Sequence, residues 1–214
     1  MASRLGIAGG DYVDDLDVGD ALLIPRHGDP YTQPHRIDHA ANMQRLVDAG
    51  CDRVLALSSV GGLRRELGVG TFLCPDDFIA LHVGKSAFGD RRAHRVAGFD
   101  SGWRREILDV WTRRAETALL DGGVYWESIG PRFETPAEIR LIAQHADVIG
   151  MTIASECVIA GEVGLRYAAV CVVDNLANGL APQPLTLDEF DAGTASNKAR
   201  LLAALDAVLP ELSA

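Results

Sequence analysis

The sequence predicts an α/β protein, one domain over residues 1–214, with a central mixed and largely buried sheet flanked by helices. Three observations carry this reading. Short apolar runs alternate with amphipathic stretches along the chain. The run from Tyr167 to Val173 is apolar almost without a break, as a strand covered on both faces must be. Four predicted strand ends finish in glycine or hydroxyl-bearing residues, which is where an open α/β sheet places its ligand. At 214 residues the chain is most simply one domain, and a chain of that size buries about 70% of its unfolded surface without needing disulfides.

Taken in order, strands are predicted at Leu5–Ala8, Ala21–Pro25, Arg53–Ser58, Phe72–Leu81, Gly123–Glu127, Asp147–Gly150 and Arg166–Val173. Helices are predicted at His39–Ala49, Arg104–Leu120, Pro136–Gln144, Ser155–Gly164 and Ala195–Leu209. Thr135 followed by Pro136 is a good helix start, a capping hydroxyl before a proline at the first helical position. Gly50 and Gly164 read as helix stops. The stretches His82–Gly102 and Gly179–Pro184 read as surface connections, the first rich in basic residues, and long connections of this kind serve as lids or subunit contacts.

Composition narrows the function. A formal charge of −10 excludes a protein that coats nucleic acid, which needs a basic face. It leaves small anions open, because backbone amides and one or two arginines override the global sign locally. Cys51, Cys74, Cys157 and Cys171 form no Cys-x-x-Cys pair and read as buried small hydrophobes. The first ten residues hold too short an apolar run for a secretory signal, and no run reaches the roughly 18 apolar residues of a membrane span. A cytoplasmic protein without membrane, nucleic-acid or metal partners is expected.

The four strand ends are Gly9-Gly10, Arg26-His27-Gly28, Ser58-Ser59-Val60-Gly61-Gly62 and Gly150-Met151-Thr152. The second and third together suit an anion: arginine offers a planar fork, hydroxyls donate, and glycines let amides approach. Each alone reads equally as a turn. Their order is more telling. Pro25-Arg26-His27-Gly28, the segment Pro34 to Asn42, and Ser58 to Leu67 are followed by Gly130-Pro131-Arg132-Phe133-Glu134-Thr135-Pro136-Ala137-Glu138, then Gly150-Met151-Thr152 with Glu156, then Val173-Asp174-Asn175.

This succession, from about Ile24 to Leu202, resembles the trimer-forming purine nucleoside phosphorylases and methylthioadenosine phosphorylases. The resemblance implies the following roles. Arg26 and the His27 backbone hold phosphate, Ser58 gives it a hydroxyl, Ser59 an amide and Thr152 a further hydroxyl. Met151 packs beneath the ribose and Phe133 presses on the purine, with Val60 and Gly61 in the substrate-binding set. Glu134 and Asn175 meet the polar edge of the base as the catalytic pair. No metal or organic cofactor is implied; inorganic phosphate is the co-substrate, a purine nucleoside the substrate, and a homotrimer the assembly.

Glu134 and Asn175 carry a chemical argument about the base. A 6-oxopurine has a hydrogen on N1 for a carboxylate to accept, whereas adenine N1 is itself an acceptor. Asn175 can donate to O6, where an aspartate would suit an amino group. A mispaired buried edge costs about 1–3 kcal/mol, so 6-oxopurines are favoured over adenine. At the 5′ end of the sugar, the stretch from Leu185 to Phe190 has no histidine for a hydroxyl. Leu187 and Phe190 line an apolar 5′ pocket, suited to a 5′-deoxy or methylthio inosine, or else they are plain core.

Two departures from the family pattern bear on mechanism. Asp11 follows Gly9-Gly10 where a serine or threonine phosphate ligand is usual, and the chain between Gly10 and Ile24 is short. Either Asp11 turns outward and phosphorolysis stands, or a carboxylate activates water and the protein is a nucleosidase; a weakly catalytic purine-binding homologue is the third alternative. His35 and His39 read as surface or core histidines, with the ribose side of the site as the alternative. Lys85, Arg91 and Arg92 read as a solvated loop, with a neighbouring subunit's site as the alternative.

Overall fold

The computed structural model describes residues 4–10, 12, 13 and 16–214. Asp11, on which the phosphate question turns, lies outside the described residues, as do Asp14 and Asp15. Two long parallel strands form the middle of the sheet, β3 (Arg53–Gly62) and β9 (Arg166–Leu176), numbered in chain order among nine. Successive side chains of a strand face opposite ways, and here both ways are covered. Leu55, Leu57, Val170 and Val172 pack against Trp103 and Ile107 of α2 (Ser101–Arg114) and Leu201 and Leu205 of α5 (Leu187–Leu212). Val54, Ala56, Ala169 and Val173 pack against Met43 and Leu46 of α1 (His39–Asp48) and Ile153 and Ile159 of α4 (Ile153–Glu162). Two helical layers over one sheet explain the unbroken apolar run at Tyr167 to Val173, and large-to-small changes in such a core cost about 2–5 kcal/mol each.

The first half of β3 is flanked by β1 (Leu5–Gly9), which in turn carries β2 (Leu22–Pro25), all parallel. The last two residues of β3 pair antiparallel with β8 (Val148–Gly150). β3 therefore continues through Ser58-Ser59-Val60-Gly61-Gly62 rather than ending at Ser58. Those small residues are the last stretch of a paired strand, not a turn.

The stretch Phe72–Leu81 is two strands rather than one. β4 (Phe72–Cys74) pairs with β9, and β5 (Asp77–Ile79) pairs with β7 (Val124–Glu127). Pro75 between them has no amide hydrogen for a ladder. The helix predicted over Arg104–Leu120 is also corrected. α2 starts earlier, where the Asp100 carboxylate accepts from Trp103 N at 2.7 Å, and stops at Arg114. Trp111 Nε1 donates to Thr117 O at 2.8 Å, which pins the turn that follows. Leu119–Asp121 then forms β6 on the edge of β4. β4 with β6 and β5 with β7 are one parallel pair bent at Pro75-Asp76 and Gly122-Gly123, where both glycines take positive φ (94° and 108°). The bend carries the pair from beside β9 round to beside β8, so the order β5-β7-β8-β3-β9-β4-β6 curls back on itself.

α3 (Pro136–Ile142) begins as predicted, with Thr135 and Glu138 capping each other's backbone amides. α5 begins at Leu187, well before the predicted Ala195, because Thr186 and Glu189 form the same reciprocal cap. Cys51, Cys74, Cys157 and Cys171 are free and buried, and burial pushes the Cys74 thiol up to about 11. Among the described residues no helix is long and apolar enough to cross a membrane.

The feature that most shapes the ligand site is an irregularity near the end of β9. Val60 pairs with Val173 but Gly61 pairs with Asn175, so Asp174 is an extra residue in the ladder, a β-bulge. Its buried carboxylate accepts from Asn197 Nδ2 at 2.8 Å, from Thr194 Oγ1 at 3.4 Å and from the Tyr12 hydroxyl, which binds the bulge to α5 and to the chain after β1. Burial pushes this carboxyl up, and Ser59, Tyr12, Asn197 and Thr194 oppose that. α5 crosses the bulge at Gly193, where any Cβ would overlap the Asp174 carbonyl oxygen. Gly193→Ala is therefore expected to lower stability by about 1–3 kcal/mol, the usual cost of overpacking, and a urea midpoint unchanged from the parent would show that α5 is free to retreat.

Candidate active site

A cavity of about 400 Å³ opens at the end of the central strands. Every residue that the sequence assigned to phosphate, ribose or base lines it: Arg26, His27, Ser58, Ser59 and Thr152 at one end, Phe133, Glu134 and Asn175 at the other, with Val60, Gly61, Met151 and Leu187 around them. Among the described residues no cluster of histidine, cysteine and carboxylate side chains could hold a metal ion.

Arg26 follows β2 directly, and its main-chain N–H donates to Gly9 O at 2.7 Å, which locks it to the end of β1. Its guanidinium is not the open fork the sequence suggested. Nε and Nη2 grip the Glu156 carboxylate at 2.8 and 2.9 Å, Nη1 donates to Leu57 O at 2.8 Å, and Nη2 also donates to Ala8 O at 3.2 Å. Four of its five N–H groups are thus committed to protein acceptors, and one on Nη1 is left for a ligand. Both side chains are almost wholly buried, 2% and 0% exposed. Burial pushes the Glu156 carboxyl up, but the Arg26 charge and hydrogen bonds, with His39 nearby, leave it well below the ordinary glutamate range; the Tyr167 hydroxyl donates to it at 2.7 Å. Arg26 is raised correspondingly, its own burial penalty outweighed by Glu156.

His27 sits beside it. Nδ1 is 2.8 Å from Thr32 O and must donate, since a carbonyl only accepts, and the ring stacks on Tyr31 at 4.6 Å between centroids. A Cβ on Gly10 would lie 3.2 Å from His27 Nε2 and 3.7 Å from Arg26 Nη1, so Gly10 keeps the space between them open. Across the cavity Ser58 Oγ turns back to Ser59 O at 3.0 Å, a local bond it can exchange for a ligand. Ser59 Oγ lies close to Asp174 without closing a hydrogen bond of ordinary geometry. Thr152 occupies the N-cap of α4 without a side-chain cap bond, so its hydroxyl is uncommitted to the helix whose positive end it heads.

At the far end, Ser128 Oγ donates to Glu134 Oε1 at 2.5 Å, and Asn178 Nδ2 holds the Glu134 carbonyl at 2.9 Å. Asn175 Nδ2 is 2.9 Å from Leu176 O, which leaves its second N–H and its carbonyl oxygen for the cavity. Asn175 lines the cavity while Asp174 is held by Asn197, and the bulge parts the two neighbours. Phe133 and Phe190 stand 5.9 Å apart at a tilt of 46°, and Leu187, 64% exposed, lies on the rim. Leu187 is therefore not core.

Ser128 had no place in the sequence assignment. It was legible by the rule used for Ser58 and Thr152, a hydroxyl at a predicted strand end. His35 and His39 do not line this cavity. His35 borders a neighbouring one of about 220 Å³, with Lys85, His82 and Glu127, which shares Pro34, Ser128 and Met151 with the first. His39 is buried with Nδ1 3.8 Å from Glu156. Arg92 pairs with Asp90 and lies over Phe88, and Lys85 Nζ donates to Ile37 O at 2.9 Å.

Residues 6–210 match the sequence profile of the phosphorylase superfamily. The chain belongs to that superfamily. A probable 6-oxopurine nucleoside phosphorylase of Archaeoglobus fulgidus is 39% identical over 182 residues, spanning 82% of this chain and 75% of its own. A probable S-methyl-5′-thioinosine phosphorylase of Methanothermobacter thermautotrophicus is 34% identical over 199 residues, 89% of this chain and 68% of its own. The fold is that of a methylthioadenosine phosphorylase from Schistosoma mansoni, solved with adenine: TM-score 0.83 over 98% of this chain and 91% of that one, at 20% identity.

The depressed Glu156 carboxyl links this phosphorylase-superfamily site to folding. A carboxyl whose pKa is lower folded than unfolded contributes stability that is present above its unfolded value and lost as pH falls through the folded one. Its unfolded value is 4.5. Stability measured by urea is expected to decline as pH drops below about 4.5, and in Glu156→Gln this part of the acid limb should flatten while the protein is weaker at neutral pH. An acid limb of unchanged steepness in Glu156→Gln would remove Glu156 from that role.

Proposed function

We propose that this chain is a purine nucleoside phosphorylase that prefers 6-oxopurine nucleosides and yields the free base and a sugar 1-phosphate. The observation that carries the reading is the pairing of Glu134 with Asn175 at one end of the cavity, an acceptor beside a donor, with Asp174 turned away into its own network. An acceptor for N1–H and a donor for O6 or N7 fit a hypoxanthine- or guanine-type edge and mispair with adenine. The relatives named for 6-oxopurine nucleosides and for methylthioinosine, both 6-oxopurine substrates, support it.

The opposite end supports phosphate as nucleophile. One Arg26 N–H, the Ser58 and Thr152 hydroxyls and the head of α4 border that end of the cavity. Phosphate held under the sugar attacks C1′ as the C1′–N9 bond breaks, and the bonding pair leaves with the purine. The hydrogen bond donated by Asn175 strengthens as negative charge reaches the base, Glu134 orients the base through N1–H, and the phosphate charge stabilises the cation-like ribose. No organic cofactor enters this chemistry. Leu187 and Phe190 at the rim support an apolar 5′ substituent, a methylthio or deoxy sugar. We further place the enzyme in the cytoplasm as a homotrimer, on the family pattern that the motif order resembles.

The assay is purine release from inosine, methylthioinosine, guanosine and methylthioadenosine, with and without phosphate. Release should require phosphate and favour the 6-oxopurines; release that ignores phosphate would make the protein a nucleosidase. Asn175→Asp puts a carboxylate against the O6 lone pairs and should cost roughly 2–4 kcal/mol in kcat/KM for 6-oxopurine nucleosides, with less loss for adenine nucleosides. Asp174→Asn should instead lower stability, by about 1–3 kcal/mol as buried donors lose their acceptor, and keep the base preference. Selectivity that follows Asp174 and ignores Asn175 would reverse the assignment.

A further inference from the structure

We propose that Ser128 is a positioning residue that sets base selectivity, by fixing which oxygen of Glu134 faces the purine and in what role. The inference rests on the reading above, in which Glu134 meets the base. The two residues differ in how firmly they are held. Ser128 follows β7 directly and its main-chain N–H donates to Gly150 O at 2.9 Å, so it is an extension of the sheet. Glu134 lies on the loop that leads into α3, and its main chain is tied by Asn178. Its carboxylate has one hydrogen-bond partner among the described residues, the Ser128 hydroxyl.

The cation nearest in sequence, Arg132, makes no hydrogen bond to Glu134. Arg132 gives both terminal nitrogens to Glu138, at 2.8 and 2.7 Å. A separation of 2.5 Å between Ser128 Oγ and Glu134 Oε1 belongs to a charge-assisted O–H···O⁻ bond. A serine hydroxyl has a single proton, and here it is spent on Oε1. Rotation of the carboxylate about its last bond is thereby stopped, and Oε2 is presented to the cavity as a bare acceptor. That arrangement rewards a base with N1–H. It penalises a 6-aminopurine, whose N1 lone pair would meet that acceptor lone pair to lone pair. The selectivity attributed to Glu134 thus depends on a hydroxyl that need never touch the base.

The test uses Ser128→Ala, Ser128→Thr and Glu134→Ala, with equilibrium binding of hypoxanthine and of adenine in the presence of phosphate and separate binding of phosphate. Ser128→Ala is expected to weaken hypoxanthine about tenfold, as loss of a charge-assisted hydrogen bond does, with adenine unchanged or improved and phosphate affinity unchanged. Ser128→Thr, which keeps the hydroxyl, should restore the parent ratio. A general packing defect would weaken all three ligands together and would not be repaired by threonine. If Glu134→Ala abolishes the preference while Ser128→Ala retains it within twofold, the positioning role falls and the base reading stands. If Glu134→Ala also leaves the preference intact, both fall.

Discussion

The contact on which the rest of the site depends is the buried ion pair of Arg26 and Glu156. Taking two charges out of water costs several kcal/mol per ion, and the pair survives only where geometry and extra hydrogen bonds are complete. Here they are. The guanidinium bridges to the end of β1 through Ala8 O and to the middle of β3 through Leu57 O, the carboxylate stands on α4, and the Tyr167 hydroxyl of β9 donates to it. Five elements that are distant in sequence meet in one network. The pair therefore organises the floor of the cavity first and offers a single N–H to a ligand second. This differs from an arginine whose whole fork is free for phosphate.

The other end of the cavity is organised by a neutral device. The bulge at Asp174 changes the pitch of β9 where it reaches the ligand, and Tyr12, Thr194 and Asn197 hold the extra residue from the far side. Asn175 can then face the cavity while its neighbour is fully occupied elsewhere. Ion pair and bulge both rest on the same two central strands, the one at Leu57 and Tyr167 and the other at the Val60/Gly61 step opposite Asp174.

Much of this was legible in the sequence, for identifiable reasons. β9 and β3 announce themselves because both faces are covered, and α3 because Thr135-Pro136 with Glu138 is a local cap. That Arg26, Ser58 and Thr152 line one cavity was legible because predicted strand ends with glycines and hydroxyls suit a ligand, whereas Phe133, Glu134 and Asn175 were reached through the family resemblance. What was missed depended on partners far away in the chain. The division of Phe72–Leu81 is marked by Pro75, but that its halves join different strands is a matter of sheet topology. Leu119–Asp121 is a strand only because β4 offers it an edge. The Thr186/Glu189 cap was readable and overlooked, since Thr194 and Asn197 interrupt the apolar stripe of α5 where it meets Asp174. Nothing near Arg26 in sequence points to Glu156, and no periodicity predicts a bulge.

The absent side chain at Gly193 has a further consequence for how such a site can diversify. With helix backbone resting on strand backbone at the Asp174 carbonyl, the axis of α5 has no room to shift toward β9, and its own buried stripe keeps it from tilting away. The wall at the sugar end cannot be widened or narrowed by sliding the helix. On the function proposed, accommodation of a different 5′ group would fall to the identity of side chains on the first turn, Leu187 and Phe190, which line the cavity beyond the pinned point. Sugar preference would then evolve by single exchanges there, while base preference, anchored on the other side of the same glycine, stays untouched.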